Sequence, residues 1–322
     1  MSDIHTFEKL DEMLVSVKTV GISGHVRPDG DCVGSTLAVY NYIKDNYPRI
    51  KVRLYLEPMP DVFSFLQRSE EIIYECKDEI TFDLFLSLDC GSVDRLGNAI
   101  PYFCSAKHTV CIDHHESNSS FADDNYIFPD ASSTCELVYE LLPEEKISRQ
   151  IAECLYTGIV HDTGIFQYSC TSSKTMMIGG KLMEKGIDYP KIVDETFYSK
   201  TFAQNKVMGY AVLNSELYLD GQCVVGVITT EDMKKFGVKP KDMDGIVNRL
   251  RNTKGVRVAV FMYQNEDGSY KVSTRGTDDT NLATFAVQFG GGGHAKAAGF
   301  TLYGSAEENI TKVIEALAEY WK

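Results

Sequence analysis

The sequence predicts an α/β protein: a doubly wound, mainly parallel sheet followed by a second, smaller α/β domain. Three observations carry this. Apolar runs with strand character alternate with stretches of helical apolar spacing through the first half of the chain. Several of those runs end abruptly on a carboxylate or an imidazole, where open α/β sheets put their sites. A chain of 322 residues and 36.0 kDa is also too long for one ordinary domain and suits two.

Residues 18–23, Lys-Thr-Val-Gly-Ile-Ser, read as a short buried strand. The stretch after it, Gly24-His25-Val26-Arg27-Pro28-Asp29-Gly30-Asp31, is tightened by glycine and proline into a loop. Leu37, Val39, Tyr40 and Ile43 predict a helix over 36–47, so His25, Asp29 and Asp31 are expected on the loop before it. Helix N-terminal N–H groups facing that loop favour anions. The glycine spacing fits neither GxGxxG nor a Walker loop. Either aspartate alone reads as a helix cap or a turn. A histidine and two aspartates in one seven-residue stretch point instead to a metal.

Residues 51–57 predict a second strand, ended by Pro58 and Pro60. Residues 82–88 are apolar except for Asp83 and Ser87 and predict a buried parallel strand that terminates on Asp89. Nearby, Asp94-Arg95-Leu96-Gly97 offers an arginine at reach for a phosphate. The next apolar run ends on Asp113-His114-His115; three titratable groups in succession at a strand end outweigh the reading of a single surface histidine. Residues 132–142, 148–160 and 171–186 predict helices. The second runs into His161-Asp162-Thr163-Gly164. A carboxylate in a last helical turn meets the negative dipole end, so Asp162 calls for a compensating cation or a hydroxyl partner.

Residues 189–210 read as a connecting helix, giving domains over 1–188 and 211–322. In the second, 215–219 and 223–229 predict a hairpin around Asp220-Gly221, 242–251 a helix, 257–263 and 269–274 strands, and 306–321 a last helix. Val272-Ser273-Thr274-Arg275-Gly276 sets an arginine at a strand end, able to contact a phosphate in bidentate fashion; a surface salt bridge is the plainer use. Four consecutive glycines, Gly290 to Gly293, carry a large folding entropy cost. They stand between an apolar segment and the small residues Ala295, Ala297 and Ala298, beside His294. Close backbone approach to a ligand explains that setting better than a flexible linker does.

The net charge is −14, and it is uneven: residues 1–190 carry 16 Lys+Arg against 30 Asp+Glu, and residues 191–322 carry 16 against 16. An acidic protein is a poor match for long nucleic acid, whose binding rests on neutralising many phosphates. A small phosphorylated ligand stays compatible. No apolar run approaches the ~20 residues of a membrane span. The polar N-terminus lacks the apolar core of a signal peptide, and the nine scattered cysteines suit reduced thiols in the cytoplasm.

With these clusters in order, the chain resembles the DHH phosphoesterase superfamily. The resemblance rests on His25-x-x-x-Asp29-x-Asp31, strand-end Asp89, Asp113-His114-His115 and Asp162, with Gly290 to Gly299 similar to the glycine-rich motif of the DHHA1 domain. Within the superfamily, the layout is similar to the branch of bifunctional oligoribonucleases and 3′-phosphoadenosine-5′-phosphate phosphatases. The resemblance implies two Mn²⁺ ions per subunit, with Mg²⁺ as the alternative: His25, Asp29 and Asp89 at one, and Asp31, Asp89, His114 and Asp162 at the other. Carboxylates and imidazoles without thiolates suit those ions. It implies that His115 faces the substrate phosphate and that Asp113 supports His114. It further implies that Arg95, Ser273, Arg275, Gly291, Gly292, Gly293 and His294 contact the substrate, and that the protein forms a homodimer. The expected substrates are very short RNA, 3′-phosphoadenosine 5′-phosphate (pAp) or linear dinucleotides. Cleavage of cyclic dinucleotides or pApA is the alternative enzyme reading, and a noncatalytic nucleotide-binding module the alternative of another class.

Overall fold

The run Leu84–Leu88 is buried at every position, as a strand covered on both faces must be. In the computed structural model, which describes residues 9–77, 79–277 and 280–321, it is the central strand of the first of two units. That unit ends at Ser199. Its elements are α1 (Leu10–Met13), β1 (Thr19–Ser23), α2 (Gly30–Asn46), β2 (Lys51–Tyr55), β3 (Leu84–Leu88), α3 (Ile100–Ser105), β4 (Thr109–Asp113), β5 (Asp124–Ile127), α4 (Thr134–Leu141), α5 (Arg149–Asp162), α6 (Ser173–Glu184) and α7 (Tyr189–Val193). The strands form one sheet in the order β2-β1-β3-β4-β5, and every pairing is parallel. The order reverses at β1, which has β2 on one side and β3 on the other. Open α/β sheets bind ligands at such a switch point, beyond the carboxyl ends of the strands.

Two local details position the site. Asp29 caps α2 by accepting from the backbone N–H groups of Asp31 and Cys32, both at 3.1 Å. The helix therefore begins at Gly30, six residues before the start its apolar spacing suggests, and Asp31 lies in its first turn and not on the loop. The backbones of α2 and α5 also approach closely. A Cβ at Gly34 would stand 2.5 Å from the Cys154 carbonyl oxygen. The edge strand β5 was not expected, because its Asp-Asn-Tyr-Ile run is exposed or half-buried and shows no apolar pattern.

The second unit begins at Lys200. It contains α8 (Phe202–Leu213), β6 (Glu216–Tyr218), β7 (Cys223–Ile228), α9 (Thr230–Phe236), α10 (Ile246–Arg251), β8 (Val258–Gln264), β9 (Tyr270–Gly276), α11 (Leu282–Val287), β10 (Gly292–His294), β11 (Ala297–Leu302) and α12 (Ala306–Tyr320). The six strands order as β10-β11-β9-β8-β7-β6, antiparallel except for β7 with β8. Phe285, Val313 and Leu317 pack with Val258, Val260, Val272 and Phe300 in one core; Val207, Ala211, Val247 and Leu250 pack with Val224, Ala259 and Phe261 in another. The single connecting helix expected over 189–210 is instead two: α7 ends at Val193, a π turn spans Asp194–Tyr198, and α8 belongs to the second unit. Burial of Val207 and Ala211 in the second core draws it there. The helix expected over 242–251 is broken by Gly245, at φ 86°. No helix among the described residues is long and apolar enough to cross a membrane.

Candidate metal centre

Three strand ends and two helix ends converge in the first unit. His25 follows β1, Asp89 follows β3, and His114 and His115 follow β4. Asp29 and Asp31 begin α2, and Asp162 closes α5. Asp89 turns the chain sharply off β3 with a left-handed backbone at φ 54°, which is uncommon outside glycine and tolerated best by Asn and Asp. All six residues expected to bind metal are therefore brought to one place.

The Asp89 carboxylate lies at the centre. Its Oδ2 stands 3.5 Å from His25 Nε2, and its Oδ1 stands 3.7 Å from His114 Nε2 and 3.6 Å from His115 Nδ1. On the first side, Asp29 Oδ2 is 3.6 Å from His25 Nε2. On the second, His114 Nε2 is 3.2 Å from Asp162 Oδ2 and 3.9 Å from Asp31 Oδ2. Most of these separations exceed an N–H···O hydrogen bond. Ligands sharing one ion at ~2.1 Å, at right or tetrahedral angles, stand about 3.0–3.4 Å apart, so the donors are spaced nearer to co-ligands than to bonded partners. His25 also engages the Val26 carbonyl through Nδ1 at 2.9 Å, which keeps Nε2 for the cluster.

Electrostatics gives the same answer. Asp31 and Asp89 are buried, while the Asp29 side chain is 60% exposed and opens the cluster to solvent. Burial, then the neighbouring Asp89 and Asp162, push the Asp31 carboxyl well above its usual range, against the pull of His114. Burial pushes Asp162 up as well. Burial also works against a charge on His25 and His114, yet the facing carboxylates outweigh it. His25 is held up at about 10, and His114 well above its ordinary value. The cluster is short of positive charge, and hard divalent ions held by oxygen and imidazole donors suit that need. Cys32 also lies near His25 and Asp89, and burial, then Asp89 and Asp29, push its thiol well above its ordinary value.

Asp113 differs from expectation. It does not support His114. Its Oδ1 accepts from His115 Nδ1 at 2.7 Å, and its Oδ2 from Asn118 Nδ2 at 2.6 Å. Burial raises the Asp113 carboxyl, but these partners outweigh it and hold it below the usual range. Asp113, the last residue of β4, is fully buried, and His115 two positions on comes within its reach. His114 instead has its Nδ1 3.4 Å from the Ala131 carbonyl. Arg95 lies half-buried in the turn after β3; its carbonyl accepts from Val26 N–H, and its guanidinium makes no ion pair among the described residues. Two groups had no place in the sequence reading. Asn118 carried no signal at all. Thr134 did carry one, as part of a Ser-Ser-Thr helix start, but not one that pointed to the site.

The second unit gathers the other expected residues on its own sheet. Lys271, Ser273 and Arg275 occupy the partly exposed alternate positions of β9. The register sets Ser273 opposite Gly299 and Gly299 opposite Gly292; it sets Arg275 opposite Ala297, and Ala297 opposite His294. The side chain of His294 lies outside the described residues. A Cβ at Gly291 would stand 2.3 Å from the Gly299 carbonyl oxygen, and one at Gly293, at φ 148°, 2.4 Å from that of Ala297. One at Gly292 would meet nothing within 4 Å.

Fold and cluster together define a two-unit α/β protein with a carboxylate–imidazole cluster of a kind that could hold metal ions. The family model of the DHH family N-terminal domain matches residues 19–159, that of the DHHA1 domain matches 220–322, and the chain belongs to the DHH/DHHA1 phosphoesterase superfamily. It is 29% identical over 310 residues to the bifunctional oligoribonuclease and PAP phosphatase NrnA of Bacillus subtilis, covering 94% of this chain and 95% of that one. To the protein of the same name from Thermus thermophilus it is 28% identical, covering 96% and 92%. Among solved structures, an exopolyphosphatase-related protein from Bacteroides fragilis superposes with a TM-score of 0.88 at 28% identity, covering 95% and 93%.

Proposed function

We propose that this protein hydrolyses phosphoester bonds in very short oligoribonucleotides and in pAp, using two Mn²⁺ or Mg²⁺ ions per subunit. The observation that carries the proposal is the division of the Asp89 carboxylate, with Oδ2 toward His25 and Oδ1 toward His114. His25, Asp29 and Asp89 would hold one ion, and Asp31, Asp89, His114 and Asp162 the other. When bound, such a pair supplies Lewis acidity to phosphoryl oxygens and acidifies a water. The chain's own residues do the rest. His115, oriented through Nδ1 by Asp113, offers Nε2 to a phosphate oxygen. Asp113 raises the pKa of His115, so the ring holds a proton that it can share with developing negative charge. Arg275, Ser273, Gly291, Gly292, Gly293 and His294 of the second unit would contact the substrate, as would Arg95 of the first. The net charge of −14 supports a small substrate over a long polyanion. The free cysteines support a reducing, cytoplasmic setting.

One panel tests the reading: initial rates on pAp, short RNAs of both polarities, pApA and pyrophosphate, with Mn²⁺ and with Mg²⁺. Hydrolysis of pAp and short RNA, abolished by Asp89→Ala, is the expected result. Turnover of pyrophosphate alone would overturn it. A rate on pApA above those on pAp and RNA would move the substrate to linear dinucleotides.

A further inference from the structure

The first turn of α4 touches two buried carboxylates of the cluster, Asp31 and Asp89. The backbone N–H of Thr134 donates to Asp31 Oδ2 at 2.6 Å, and that of Cys135 to Asp31 Oδ1 at 2.9 Å. The Thr134 hydroxyl donates to Asp89 Oδ1 at 3.2 Å. Thr134 is fully buried, as are the residues that fix this turn. Ser133 caps it, accepting from Glu136 N–H at 3.1 Å, and Glu136 Oε2 accepts from Ser132 Oγ at 2.5 Å and from Thr175 Oγ1 at 2.7 Å. The hydroxyl therefore reaches Asp89 from a rigid base.

Its effect follows from the freedom that a carboxylate otherwise has. The terminal torsion of an aspartate is broad and roughly two-fold. The imidazole nitrogens around Asp89 stand at 3.5 to 3.7 Å, beyond hydrogen-bond reach. Thr134 Oγ1 is the one side-chain donor within reach among the described residues. We propose that Thr134 is a positioning residue: its hydroxyl fixes the plane of the Asp89 carboxylate, so that each oxygen addresses a different cation. Its backbone N–H fixes Asp31 in the same frame, and one helical turn sets both carboxylates. This rests on the two-cation reading above.

Thr134→Val removes the hydroxyl, keeps a similar shape and leaves the backbone N–H on Asp31. Thr134→Ser restores a hydroxyl. The readouts are Mn²⁺ titration by calorimetry and the electron paramagnetic resonance spectrum of the Mn²⁺-loaded, substrate-free protein, beside kcat and KM on pAp. In Thr134→Val we expect one Mn²⁺ bound about 10-fold or more weakly and a reduced spin-coupled pair signal. We expect kcat to fall about 10-fold with KM little changed, and Thr134→Ser to recover both. If Thr134→Val does not fold, Thr134→Ala deletes the same hydroxyl without an added methyl and carries the same expectations. Wild-type pair binding with an unaltered titration and spectrum in the variant overturns this inference alone. A wild-type protein that binds no Mn²⁺ pair overturns the two-cation reading and this inference with it.

Discussion

Asp113 holds His115 through a 2.7 Å hydrogen bond at Nδ1, while Asn118 occupies the other Asp113 oxygen. A buried carboxylate on one ring nitrogen selects the tautomer and aims the other nitrogen. Asp113→Asn replaces the acceptor by an amide that can turn its N–H₂ toward the ring. We expect kcat to fall about 10²-fold, with Mn²⁺ stoichiometry unchanged, if His115 acts on substrate rather than on the ions, as proposed. A loss of bound Mn²⁺ in this variant would instead assign Asp113 to the metal ligands.

Gly158 packs where a side chain would collide with Cys135 and Asp31. A Cβ there would stand 2.2 Å from Cys135 Sγ and 2.7 Å from Asp31 Oδ1. Gly158→Ala should destabilise the protein by about 1–3 kcal/mol through overpacking and weaken Mn²⁺ binding. Removing the sulfur with Cys135→Ala in the same chain should restore part of the stability. Thermal unfolding of the single and double variants measures both effects, and equal melting of the two would exclude the sulfur as the obstacle.

The glycine run divides by position. Gly291→Ala drives a Cβ into the Gly299 carbonyl and should cost about 1–3 kcal/mol of stability. Gly292→Ala meets nothing in the protein and should melt like wild type. If substrate lies on this part of the sheet, Gly292→Ala raises KM on pAp and leaves Mn²⁺ binding alone. An unchanged KM would move the substrate elsewhere.

The metal-free protein should respond to pH in a set direction. Burial opposes the charge on His25, but Asp29 and Asp89 raise its pKa from 6.5 to about 10. A group raised on folding stabilises fully below its unfolded value and loses that contribution as pH passes the folded one. Stability in the presence of chelator should therefore decline from about pH 6.5 to about pH 10. Saturating Mn²⁺ should flatten or invert that slope, because ion binding requires an unprotonated imidazole and improves with pH. Urea unfolding with and without Mn²⁺ checks both arms; a rise in metal-free stability across this window would contradict the first.

Much of this was legible in the sequence, and the reasons differ by element. Leu84–Leu88 is apolar throughout because both its faces are covered, and the parallel sheet followed from runs like it. The His and Asp clusters that the fold gathers were legible because each follows closely on an apolar run. The partner of Asp113 was not, because choosing between two adjacent histidines depends on how the chain leaves β4. The early start of α2 was hidden by its polar first turn, where Asp29 supplies the cap and apolar spacing has not yet begun. The β10–β11 hairpin was hidden by glycine and alanine, whose small side chains carry no alternation to read.

The left-handed backbone of Asp89 sets the demands of function against those of folding. Glycine would sit at φ 54° with less strain, and neither glycine nor asparagine would add a carboxylate to a buried, acidic cluster. Asp89→Gly and Asp89→Asn should therefore make the ion-free protein more resistant to unfolding while destroying its chemistry. Selection for stability alone would favour glycine here, so on the proposed reading the aspartate is kept for its carboxylate.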